Sequence, residues 1–200
     1  MRPAPNPSRG SVTYGQESPL DLRTSLDPDS ALNAVDRAEL RSLSEAVFPP
    51  DVDAAWPGHN IEWAPAEWWV RIWTTSDPTL ASCARVVLRD ATHDGQPLVI
   101  GGIGGVKTHP DWRRRGLAER AVRRAFEFFH AQPVVAFALI TCEPTLIPYY
   151  SRRRWREFHG SVLVTQRGLS AEFTFDRIMV HDVRSPAPTA GIIDLRGPPW

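Results

Sequence analysis

The chain's 200 residues, 42% hydrophobic and 23% charged, have the make-up of one globular domain with a core of its own. Its 23 basic and 23 acidic residues cancel to +0, which excludes a general polyanion-binding surface, so no nucleic-acid and no membrane partner is expected. No apolar run approaches the ~18 residues of a spanning helix, and the first residues lack the apolar stretch of a signal peptide, so the expected location is cytoplasmic.

Residues 1–17 are rich in Pro, Ser and Gly and are expected to form a flexible segment, with residues 18–200 folding as a single domain. Leu20 to Ser25 alternates in polarity and predicts a first strand. Asp29 or Ser30 is placed to cap a helix running to Val47, with Leu32, Val35, Leu40, Leu43 and Val47 on its inner side. Pro49 and Pro50 stop that helix, and residues 49–66 read as a loop of Pro, Trp and acids. Strands are predicted over Trp68–Thr74, Leu80–Arg89 and Leu98–Val106. The last two are joined at Asp94-Gly95, a strong hairpin signal. After a second long helix, Val134 to Cys142 is a near-continuous apolar run, as a central strand requires. A short helix covers Thr145 to Arg153. Phe158–Gln166 and Ala171–Asp182 read as a final hairpin around Arg167-Gly168. The fold class is therefore α/β, a mixed sheet of six or seven strands with flanking helices.

The stretch Ile100 to Phe129 carries the most chemistry. Apolar and glycine residues up to Val106 read as a strand, and a turn with three arginines follows. Leu117, Ala121, Ala125 and Phe128 then recur at helical spacing. A strand that ends in a small-residue turn and opens a helix aims several backbone N–H groups at one spot. The helix dipole and the arginines add positive potential there, which suits a pyrophosphate. Neither GxxxxGK[ST] nor GxGxxG stands at this junction. Lys107 is the only lysine; the arginines cluster at 113–115, 120–124 and 152–156, which fits local anion sites.

Arg113-x-x-Gly116-x-Ala118, after a strand ending Val106-Lys107-Thr108-His109-Pro110, resembles the acyl-CoA signature of the GNAT superfamily of N-acetyltransferases. The resemblance implies that fold, with acetyl-CoA as cosubstrate held by Val106, Thr108, Arg113, Arg114, Arg115, Gly116, Leu117 and Ala118. It also implies two parallel strands splayed apart so that pantetheine pairs with an open strand edge. Gly101, Gly102, Gly104 and Gly105 would ease a bulge and close approach there, or simply accommodate a crowding helix. A backbone N–H near Val106 or Lys107 would face the thioester oxygen.

The match narrows further along the chain. Tyr149-Tyr150-Ser151-Arg152-Arg153-Arg154-Trp155 followed by His159-Gly160, Asp111-Trp112-Arg113, the Ala46 to Asp51 element and Trp200 resemble the aminoglycoside 2'-N-acetyltransferases. That resemblance implies Tyr150 as general acid toward the CoA sulfur, and Asp51 and the Trp200 carboxylate as acids that bind amines. One departure stands out: that family has a Glu where this chain has Gly104, so an acid of the amine site is missing.

A phenol near pKa 10 can give a proton to a thiolate near 8.5. The base is open between Glu143 and Asp51, and Glu143 has a competing role as a helix cap. Asp53 and Glu62 beside Trp56 and Trp63 would suit an amine on an apolar body. Trp68, Trp69 and Trp73 belong in the core. Cys83 and Cys142 read as buried free thiols, and the histidines show no metal-ligand spacing, so no metal is expected. The expected function is an acetyl-CoA-dependent N-acetyltransferase acting on a primary amine of a small molecule, with an aminoglycoside-like amine as one form. An acyl-CoA sensor, a longer-chain acyltransferase and a homodimer stay open.

Overall fold

The computed structural model describes residues 21–75 and 79–200; the N-terminal segment and Leu20 lie outside the described residues. Among the described residues, ten strands form one sheet: β1 (Leu22–Pro28), β2 (Trp68–Thr74), β3 (Leu80–His93), β4 (Gln96–Thr108), β5 (Val135–Cys142), β6 (Arg156–Glu157), β7 (Ser161–Gln166), β8 (Leu169–Glu172), β9 (Arg177–Asp182) and β10 (Ile192–Asp194). The helices are α1 (Ala34–Val47), α2 (Pro50–Ala54), α3 (Leu117–Ala131) and α4 (Ile147–Ser151). The sheet runs β6-β9-β5-β4-β3-β10-β7-β8, with β2 pairing β3 and β1 pairing β2. β3 is long enough to serve two neighbours on one edge: Leu80 to Val86 pairs with β2, and Thr92 and His93 pair with β10.

The count exceeds six or seven for local reasons. Ala171 to Asp182 is not one strand. Arg167 and Gly168, at φ 52 and 78, make the expected tight turn, but the returning β8 ends at Glu172. The chain then crosses the sheet, and β9 pairs with β5 and β6 instead. β10, a short run in the proline-rich tail, was not foreseen either.

The first helix is capped by Asn33, not by Asp29 or Ser30. Asn33 Oδ1 accepts from Val35 N–H at 2.8 Å and Asp36 N–H at 3.0 Å, while Asp36 accepts from Asn33 N–H at 3.0 Å. Asp29 is occupied elsewhere, by Arg37 at 3.0 Å and the Trp69 indole at 2.9 Å. With this start, Leu40 and Leu43 face inward and Val35 stands 67% exposed, against its expected inner position. Pro50 does more than end a helix: it sits at the first position of α2, where its missing N–H costs nothing.

Apolar residues cover both sheet faces. On one, Leu117, Ala121, Ala125 and Phe129 of α3 pack on Val70, Ile72, Val86, Ile103 and Ile140. On the other lie two separate clusters. Leu40 and Leu43 pack with Trp73, Leu80 and Cys83, and further along Val87, Phe137, Leu139, Ile193 and Trp200 form the second. Side chains alternate along a strand, so Arg85, two residues from both Cys83 and Val87, shares this second face and falls between its clusters.

Candidate functional site

β4 and β5 run parallel and paired from Val99↔Val135 to Ile103↔Ile140, and there the pairing stops. Beyond it, among the described residues, β4 is hydrogen-bonded only on its β3 side, with Arg85↔Gly104 and then Cys83↔Lys107 in register. Gly105 and Val106 thus oppose the single residue Ala84, a bulge with Gly105 at φ 52, which a side chain would strain. The edge from Gly104 to Thr108 therefore offers backbone groups to an extended ligand. The Thr108 hydroxyl itself is tied to Ser82 Oγ at 3.1 Å.

β4 leads through a 3-10 turn at Pro110–Trp112 into α3. Gly116, the residue before the helix, has φ 76 and no side-chain cap. Among the described residues, the N–H groups of Arg114 to Ala118 meet no protein acceptor. A Cβ on Gly116 would stand in open space, so no neighbouring atom crowds the turn at that point. Arg113 donates from Nε to the Thr108 carbonyl at 3.4 Å, and Arg115 lies 4.9 Å over the Trp112 ring. Uncapped amides, a helix N-terminus and flanking guanidinia fit a pyrophosphate.

A cavity of about 810 Å³ opens where β4 and β5 part. Tyr150 of α4, 5% exposed, lines it, and its hydroxyl carries no hydrogen bond among the described residues. Burial, helped by Cys142 and Tyr149, pushes the phenol well above its ordinary pKa, so it stays protonated. Asp176, in the connection from β8 to β9, also lines the cavity, and its carboxyl has no hydrogen bond among the described residues. Burial first and the charge of Glu143 second raise its pKa to about 6. Glu143 and Asp53 complete the acidic wall. Arg85 and Lys107 line the cavity as well. The roof is aromatic: Trp56 and Trp63 stack with centroids 5.8 Å apart, and Phe175 meets both edge-on at 5.9 Å.

Gly104 has a direct explanation. A Cβ there would lie 2.8 Å from the main-chain carbon of Trp200 and 2.9 Å from its oxygen. That oxygen accepts from the Thr141 hydroxyl at 3.2 Å, and the Trp200 indole is buried. Trp200 thus fills the space that a strand side chain would take.

The residues singled out in the sequence divide accordingly. Tyr150, Val106, Asp53, Glu143 and Trp200 meet at one cavity. Asp51 stands exposed on α2 and does not line it. Glu62 is used by the β7–β8 turn, accepting from Arg167 N–H at 2.8 Å. The Glu143 side chain makes no helix cap; among the described residues its only hydrogen bond is a long 3.5 Å one from the Thr145 hydroxyl, while its main-chain carbonyl accepts from Leu146 N–H at 2.9 Å. Sequence reading missed Asp176, hidden inside what looked like a continuous strand, and Arg85, which no local motif marks within its strand. Both cysteines are free and buried, and no cluster of three or more His, Cys, Asp or Glu residues suited to a metal occurs among the described residues. No helix among the described residues is long and apolar enough to cross a membrane.

The family model of the acetyltransferase (GNAT) domain matches residues 31–158. No curated protein matches the sequence. Among solved structures, the GNAT family N-acetyltransferase YhbS of Escherichia coli, in complex with CoA, aligns with TM-score 0.58 at 13% identity, covering 92% of this chain and 94% of that one. An acyl-CoA N-acyltransferase from Pseudomonas aeruginosa aligns with TM-score 0.56 at 16% identity over 80% and 99% of the two chains. NAA60 of Arabidopsis thaliana, in complex with a bisubstrate analogue, gives 0.55 at 14% over 82% and 100%.

Proposed function

Because the chain belongs to the GNAT acetyltransferases, we propose that it transfers an acetyl group from acetyl-CoA to a primary amine of a small molecule. One observation supports this reading above the others. The open edge of β4, Tyr150 and Asp176, whose carboxyl has no partner among the described residues, line the same cavity.

Acetyl-CoA, when bound, supplies an acyl group already activated as a thioester. The amides of Arg114 to Ala118 hold its pyrophosphate, with Arg113 and Arg115 alongside. The edge from Gly104 to Thr108 pairs with its pantetheine arm, and Val106 N–H donates toward the thioester oxygen. Asp176, ionised above about pH 6 and beside Glu143, attracts the ammonium of the acceptor and takes its proton. Tyr150, held neutral by burial, donates its hydroxyl hydrogen toward the departing sulfur. The aromatic roof and Asp53 position the body of the acceptor, and Trp200 closes the floor where a strand acid is absent. An aminoglycoside-like acceptor in a cytoplasmic enzyme is one form of this reading; the acids and the aromatic box favour such an amine, and the cations Arg85 and Lys107 of the same cavity disfavour it.

The test is turnover of acetyl-CoA by the purified protein against a panel of amines, including aminoglycosides, followed by release of free thiol. Amine-dependent release is expected. Saturable acetyl-CoA binding with no release for any amine would instead favour an acyl-CoA sensor.

A further inference from the structure

Among the described residues, no acid of the cavity forms an ion pair with Arg85 or Lys107. Arg85 forms no ion pair and no hydrogen bond among the described residues. Its Nε lies 2.8 Å from where a Cβ on Gly105 would stand, so the guanidinium sits directly beneath the bulge. Cys83 is the charge partner acting on it, and burial pushes that thiol up to about 11, which leaves it neutral at ordinary pH. An arginine stays ionised even where burial lowers its pKa. Five donors on a half-buried cation are therefore unused at the wall of a cavity. Withdrawing a charge from water without a partner is costly, and a bound anion offsets that cost. Lys107, two residues past Gly105, points into the same cavity. It donates to Ser44 Oγ at 2.7 Å, lies 5.7 Å over the Phe48 ring, and has no ion pair among the described residues, Asp53 acting on it only as a more distant charge. A polyamine gains nothing from these two cations, whereas an oxyanion can use both.

The geometry points to an acceptor that carries a carboxylate as well as its amine, with the carboxylate on Arg85 and Lys107 and the ammonium toward Asp176 and Glu143. Its apolar or aromatic body lies against Trp56, Trp63 and Phe175. Arg85 sits under the bulge that carries Val106, so the anion binds close to the reacting amine. An amino acid with an apolar side chain meets this demand; an aminoglycoside, with many cations and no anion, does not. The inference rests on the N-acetyltransferase reading and names its substrate class.

The test compares matched pairs that differ only in the carboxylate. Phenylalanine and phenethylamine serve as acceptors, and their N-acetyl products serve as binding probes, read by quenching of tryptophan fluorescence. The acid of each pair is expected to be favoured by about tenfold or more, the worth of one charge-assisted hydrogen bond. In Arg85→Gln that ratio should fall toward one, and in Arg85→Lys it should be partly kept. Lys107→Met, a second variant, should lower the ratio without abolishing it. Equal binding of the two N-acetyl probes by the unaltered protein overturns the inference. So does a preference that survives Arg85→Gln in folded protein, or the absence of saturable binding by the anionic probe. Failure of the broader reading looks different: acetyl-CoA itself then does not bind, or no amine of either kind releases thiol.

Discussion

Replacing Asp176 with Asn should make the protein more stable and less active. The carboxyl faces the cavity without a hydrogen bond among the described residues. Burial and Glu143 raise its pKa from 3.8 to about 6 in the folded chain. The folded state therefore holds this proton more tightly than the unfolded state, and the neutral acid is the favourable form. Wild-type stability from this group is intact below the unfolded pKa and is lost as pH rises through about 6. A shift of about two units corresponds to ~3 kcal/mol, and solvent screening at a half-buried site reduces that to about 1 kcal/mol. Asn keeps the shape and never ionises. The gain of Asp176→Asn should be near its full ~1 kcal/mol at about pH 7.5, roughly half that at about pH 5, and absent below the unfolded pKa. In a domain of this size that is about 2–4 °C in Tm. Urea denaturation at the two pH values measures it. Turnover should fall about a hundredfold in the same variant, because the amide cannot take the acceptor's proton. Wild-type turnover should rise with pH through about 6. A variant that is destabilised at pH 7.5, or that gains equally at both pH values, refutes the desolvation argument. Unchanged turnover removes Asp176 from the chemistry.

Gly116→Asp should abolish calorimetric binding of acetyl-CoA, since φ 76 strains any side chain and the added anion would face the uncapped amides. Tyr150→Phe should lower kcat by about a hundredfold and leave acetyl-CoA affinity nearly unchanged. Gly104→Glu, which puts back an acid on the strand, should destabilise by about 1–3 kcal/mol, because its Cβ would meet the Trp200 main chain at 2.8 Å. Asn33→Ala should cost about 1 kcal/mol by removing the α1 capping box, whereas Ser30→Ala should cost almost nothing, and thermal denaturation separates the two.

The parts legible in the sequence are those written into contiguous residues. The strand, turn and helix around Arg113, Gly116 and Ala118 form one local unit, and periodicity plus one left-handed glycine specify it. The turns at Asp94-Gly95 and Arg167-Gly168 were readable because both demand positive φ. The broken strand at 171–182 was not. Its residues keep strand propensity throughout, and only the competing pairings, β8 with β7 and β9 with β5, fix the break that frees Asp176. The meaning of Gly104 was equally hidden, because Trp200, which crowds it, lies far away in sequence. Arg85 carries no local sequence signal; its setting depends on the bulge at Gly105 and on its having no ion pair among the described residues, and both are tertiary facts.

The central claim is transfer of an acetyl group to an amine at the fork between β4 and β5. Mass spectrometry after a single turnover, with protein in excess over acetyl-CoA and a zwitterionic amine present, tests it most directly. The account predicts one N-acetylated amine for each CoA released. Acetyl-CoA that stays intact while bound, or that yields free acetate with the amine unmodified, would contradict it.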